Sequence, residues 1–117
     1  MFDLPTIWAG LLALADTENH RIRVIDLSSG LIDTVAGTGE IGFDDGDALS
    51  ATFNYPRDIE LFEGKLYIAD GDNNALRVLD LSSGAVETLA GTGAVGAEGD
   101  EGPALEATFN RPFGVEV

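Results

Sequence analysis

Two short runs bring side-chain oxygens together: Asp70-Gly71-Asp72-Asn73-Asn74 and Asp44-Asp45-Gly46-Asp47. Carboxylates and amides at alternating positions are the raw material of a calcium loop. Neither run goes on to the glycine at position six and the distant glutamate that complete an EF-hand, so neither defines one. His20 is the sole histidine and cysteine is absent, which leaves too few ligands for a catalytic zinc. No Gly-x-Ser-x-Gly elbow occurs. Gly37-Thr38-Gly39 is too short for a phosphate-binding fingerprint and leads into no helical pattern. The acids are so numerous that no single carboxylate pair stands out. These residues therefore predict no catalytic residue, no metal and no cofactor.

The charge balance narrows the partners. Twenty-one acids against six bases give a formal net charge of −15. Such a surface repels phosphate backbones and anionic head groups, so nucleic acid and membrane are not expected partners. An unknown protein or a cationic ligand fits the charge better. With 117 residues the chain is long enough for one small core.

The elements that position these residues come from a repeat. ADTENHRIRVIDLSSG begins at Ala15 and ADGDNNALRVLDLSSG at Ala69, 54 residues later. TVAGTGEIG and TLAGTGAVG keep that offset, and GDALSATFNYP then matches GPALEATFNRP with two residues gained in the loop at 97–102. Within the second copy, Lys65-Leu66-Tyr67-Ile68-Ala69 is β-prone and ends on an Asp-Gly turn signal. Ala75 to Asp80 alternates, with Leu76 and Val78 on one face and Arg77 on the other. Leu-Ser-Ser-Gly makes a tight turn, Ala85 to Leu89 is a further strand, and after the glycine-rich connector a proline leads into the strand at Asp58 to Phe62 or its C-terminal equivalent, Gly114 to Val117. The Ala-rich stretches Asp47 to Phe53 and Pro103 to Phe109 suit single helical turns. Four strands and a long connector, repeated, make an all-β chain of antiparallel propeller blades. Leu66, Ile68, Leu76, Val78, Val86, Leu89 and Phe109 are the expected blade core. Phe53 and Phe109, each in Phe-Asn-x-Pro, are expected to plug the junctions between blades, with Trp8 and Tyr67 in a similar role.

On these motifs the chain resembles the NHL-repeat family of β-propellers, in particular bacterial proteins with long repeats of about 54 residues joined by an AGTG connector. Asn19-His20 keeps the Asn-His pair of the family; Asn73-Asn74 departs from it. The resemblance implies blades of a six-bladed propeller: 1–56 a first blade with an altered N-terminal strand, 57–111 a second, and 112–117 the inner strand of a further blade. It does not fix function, because the family's propellers include enzymes, RNA-binding modules and protein-binding scaffolds. The amidating lyases of the family use a histidine-rich metal centre for which this chain lacks the residues, and an RNA-binding module needs a basic face.

The same register reads the apolar run from Leu4 to Ala15. It could pass for the core of a secretory signal, but Met1-Phe2-Asp3 is negative where such a signal is positive. Leu12 to Asp16 instead aligns with Leu66 to Asp70 as a blade strand. The run is too short to span a membrane, and the reading leans towards a cytoplasmic protein. Pro5 to Gly10 is left as a shortened inner strand or a gap for a strand from elsewhere.

Two blades and one extra strand cannot close a ring. Either further blades of a longer chain complete it, or copies assemble, three of them giving six blades. In an up-and-down blade the long connections gather at one end. The expected interaction face there is acidic: Asp16, Glu18, Asn19, His20, Asp44, Asp45, Asp47, Asp70, Asp72, Asn74, Asp100 and Glu101. The function expected is a non-catalytic binding scaffold. An enzyme whose site forms in the channel of a completed ring and an RNA-binding module are the alternatives.

Overall fold

Alternation and turn chemistry decide the elements. The computed structural model of the protein describes residues 10–117, and among them every regular element longer than one turn is a β-strand. β1 (Leu11–Asp16), β2 (Arg21–Asp26) and β3 (Leu31–Ala36) form an antiparallel sheet in that order. The second sheet is built from β5 (Pro56–Phe62), β6 (Lys65–Asp70), β7 (Ala75–Asp80) and β8 (Ala85–Ala90), each antiparallel to the next. Equivalent hairpins are held alike. Asp26 accepts hydrogen bonds from the Ser28 amide and hydroxyl, and Asp80 from those of Ser82, at 2.7–2.9 Å. These bonds, the hydroxyls first, hold both carboxyls below the ordinary carboxylate range. Gly30 and Gly84 then close the turns at φ 76° and 73°.

The connectors do more than link blades. A fifth strand, β4 (Gly46–Asp47), lies antiparallel to β8 and becomes the outer edge of the second sheet, opposite Ala85 and Val86. Residues 37–55 of the first unit thus clasp the second, where the sequence alone suggests a free loop. The chain then turns back through one helical turn, closed by the Ala51 amide on the Asp47 carbonyl at 2.9 Å. The matching turn in the second connector is a 3-10 turn over Ala104–Glu106. Gly37 and Gly91 make this return possible. Both have φ 98°, and a Cβ on either would stand under 3 Å from the backbone of His20, just before β2, or Asn74, just before β7.

The two sheets stack face to face. Ile22 and Val24 from the first pack on Leu66, Ile68, Leu79 and Val86 from the second, with Phe53 among them, all buried. The blade core is therefore not quite the expected set. Leu76 and Val78 are half-buried, Phe109 likewise, and Leu89 is exposed, whereas the face carrying Arg77 is the covered one. The reason is positional. Leu76 and Val78 occupy in the second sheet the places of Ile22 and Val24 in the first, and among the described residues no third sheet stands against them. Nor does Gly114 to Val117 form the expected strand; the segment joins no ladder, its Val115 amide donating to Asp58 Oδ2 at 3.2 Å. A strand persists only with a hydrogen-bonded neighbour. Trp8 and most of Pro5 to Gly10 lie outside the described residues. No helix among the described residues is long and apolar enough to cross a membrane.

Candidate functional site

The densest polar chemistry lies between the blades. Arg77 projects from β7 into the junction with no exposed surface, and each of its five N–H donors has an acceptor. Nη1 donates to Asp70 Oδ2 at 2.8 Å and to the Thr52 carbonyl at 2.9 Å; Nη2 donates to Asp45 Oδ1 at 2.7 Å and the Asp44 carbonyl at 2.8 Å. Nε reaches Asp45 Oδ1 at 3.2 Å. The guanidinium lies between two rings of the first connector, Phe43 at 5.0 Å and Phe53 at 4.9 Å. Asp45 also takes the Thr88 amide and hydroxyl of β8. One arginine thus fastens the connector of one blade to the body of the next.

Asp70 is the inner half of this lock. It is fully buried and accepts from the Asn54 amide at 2.9 Å and Asn73 Nδ2 at 2.7 Å besides Arg77. Burial pushes its carboxyl up, and the Asn54, Asn73 and Arg77 hydrogen bonds pull it back. His20 and Asn74 hold a second contact, once per repeat. Each sits in the left-handed region, φ 54° and 51°, at the end of a 3-10 turn. His20 Nδ1 accepts the Tyr55 amide at 3.1 Å, and Asn74 Oδ1 accepts the Arg111 amide at 2.9 Å. The Asn-His position is therefore a clamp on the end of the connector, and Asn serves in place of His. Accordingly His20→Asn should leave stability within about 0.5 kcal/mol, since Asn accepts left-handed φ, while His20→Ala should lose about 1–2 kcal/mol by urea unfolding.

The expected acidic face divides in two. His20, Asp70 and Asn74 are buried and internally bonded, which removes them from any face; their polarity serves the connector ends. Asp16 is half-buried against Arg23 at 3.4 Å and Asn19 Nδ2. Asp72 is half-buried 3.6 Å from both Arg57 and Arg111, and Asp45 is held by Arg77 while keeping side-chain exposure. Glu18, Asp44, Asp100 and Glu101 are exposed, with no carboxylate partner among the described residues. Asp47 is exposed too, but β4 carries it along β8 to the 81–84 hairpin. No cluster of three metal-ligating side chains occurs among the described residues. An open apolar cavity of about 380 Å³ lies at the outer edge of the same junction, lined by Val35, Leu49, Leu79 and Leu81.

The sequence reading missed the Arg77 lock. The available signal was the repeat: Asp16 and Arg23 recur 54 residues on as Asp70 and Arg77.

No family model matches the chain. It is 36% identical over 109 residues to NHL repeat-containing protein 2 of Bos taurus, a match covering 88% of the chain and 15% of that protein. It is 37% identical over 76 residues to the chloroplastic protein SUPPRESSOR OF QUENCHING 1 of Arabidopsis thaliana, covering 64% of the chain and 7% of that protein. The chain thus spans a small part of the curated relatives it matches. Among solved structures, a structural genomics protein of unknown function from Bacteroides thetaiotaomicron superposes with a TM-score of 0.79 at 29% identity, over 87% of this chain and 26% of that one.

Proposed function

The chain belongs to the NHL-repeat β-propeller family, and from that premise we propose that it is a non-catalytic binding scaffold whose acidic loop end meets a cationic partner. The observation that carries this reading is the division among the acids. Those that hold the blades together are buried or paired, whereas Glu18, Glu40 and Asp44 are left exposed, their carboxylates with no partner among the described residues. Acids that stabilise nothing locally remain free to attract a positive ligand. The blade junction fixes their spacing, and rigid spacing is what a scaffold offers a ligand. Neighbouring NHL units would complete the surface.

A short polyarginine peptide is a suitable probe. It should bind with an affinity that falls as salt is raised. Neutralising Glu18, Glu40 and Asp44 together, as Glu18→Gln, Glu40→Gln and Asp44→Asn, should weaken binding about tenfold, or about 1.4 kcal/mol. Neutralising Glu63, Glu87 and Glu116 should have little effect. Equal weakening by both sets would mean that the peptide senses net charge alone, and the reading would fail.

A further inference from the structure

The turn at Asp47 to Ser50 is pinned to its surroundings by backbone alone. The Ala48 amide donates to the Gly84 carbonyl and the Gly37 amide to the Ala48 carbonyl, both at 2.8 Å. Between this turn, β3 and the β7–β8 hairpin lies the cavity of about 380 Å³. Val35 and Leu79, only 3% and 2% exposed, form its deep wall. Leu49, 48% exposed, and the half-buried Leu81 stand at its mouth. The walls all come from residues 35–84, and the junction they belong to is complete within this chain.

Size and chemistry together narrow what can fill it. The volume falls in the range of small-molecule sites, roughly 300–1,000 Å³. Four aliphatic side chains offer water few hydrogen bonds, so displacing water from among them is favourable. Asp47 and Ser50 also line the cavity. Neither the Asp47 carboxylate nor the Ser50 hydroxyl has a hydrogen-bond partner among the described residues. No base among them lines the cavity, and the chain as a whole carries a formal charge of −15. An anion is therefore repelled, and a neutral apolar molecule leaves the carboxylate unused. A ligand with an apolar body and one cationic end matches both parts of the wall.

We propose that this cavity binds a small organic ammonium compound. An apolar body of about ten non-hydrogen atoms fills the space between Leu49, Leu79 and Leu81, a size set by the volume. Its ammonium end donates to the Asp47 carboxylate and the Ser50 hydroxyl. The body supplies most of the affinity and the carboxylate selects the sign of the charge. Because the cavity is open on one side, part of the ligand stays in water, and a dissociation constant on the order of 1 mM is expected for a ligand of this size. The site is separate from the acidic loop end: none of Glu18, Glu40 and Asp44 lines it.

Titration of the nitrogen-15-labelled full chain with 4-phenylbutylammonium, followed by amide NMR shifts, tests it. The amides of Ala48, Leu49, Ser50 and Gly84 should move together and saturate. 4-Phenylbutyrate, the same body with the opposite charge, should bind about tenfold more weakly. Methylammonium, the charge without the body, should leave those amides in place. Asp47→Asn should weaken binding about threefold, and Leu49→Ala by a similar factor. Both side chains are exposed, so the remaining amides should keep their positions and report an intact fold. Equal binding of the amine and the carboxylate overturns the proposal, as do shifts gathered at Glu18, Glu40 and Asp44 instead of the cavity. Shifts of the same amides on raising the protein concentration alone would assign the cavity to a second copy of the chain, and that too overturns it. Polyarginine binding is decided separately, by residues that do not line the cavity.

Discussion

Arg77→Met should destabilise the fold by about 3–5 kcal/mol, while the same change at the matching position, Arg23→Met, should cost under about 1 kcal/mol. The two arginines have closely matched sequence neighbours, Ile22 and Val24 against Leu76 and Val78, and differ in surroundings. Arg77 has no exposed surface and pairs with an equally buried Asp70 at 2.8 Å. Removing the guanidinium strands that carboxylate without its counter-charge, and the cost of an uncompensated buried ion dominates. It also deprives the Thr52 and Asp44 carbonyls of their donor and takes the filling from between Phe43 and Phe53. Arg23 is about one-third exposed and its one ion pair among the described residues is long, so water replaces it readily. Urea unfolding at one fixed protein concentration reads both values, because self-association would otherwise add to apparent stability. Adding Asp70→Asn to Arg77→Met should recover about 1–3 kcal/mol, since the amide oxygen still accepts the Asn54 N–H while the stranded charge is gone. A double variant less stable than Arg77→Met would show that the charge on Asp70 is not what the arginine compensates.

The same arginine marks the limit of what could be read from the chain. The strand positions of both units follow from alternation and from turns such as Leu-Ser-Ser-Gly, because those signals are local. The buried face of β7 does not. Local pattern puts Leu76 and Val78 inside and Arg77 outside, on the general tendency of charges to stay in water. The structure reverses this because the acceptors of Arg77 come from positions 44, 45, 52 and 70, and its rings from 43 and 53. No window of a few residues contains that set. β4 was hidden for a related reason: Gly46 and Asp47 have no β propensity, and only the neighbouring edge of β8 makes them a strand. For the acidic face expected from the sequence, composition and loop length assign the acids to the same set of loops. They could not tell Asp70, which is fully buried, from Glu18, which is in water, since burial depends on the connector that folds over one and not the other.

Phe53→Ala should cost about 3–5 kcal/mol, the range of a large ring removed from a well-packed interior. Phe109→Ala should cost about 1–2 kcal/mol in the monomer, since a half-exposed ring leaves less of a cavity. Phe53 has no exposed surface and sits where Ile22 and Val24 of the first sheet meet Leu66, Ile68 and Val86 of the second. It is also one of the two rings against Arg77, so its loss opens the buried ion pair to water as well as leaving a void. Phe109 packs on Gly91 at the equivalent place, yet no third sheet among the described residues closes over it. The gap between the two costs is therefore the energy that a following blade would add. Urea unfolding at one fixed, low protein concentration reads both costs. Equal costs in the monomer would mean that Phe109 is already as enclosed as Phe53, with nothing left for a neighbour to cover.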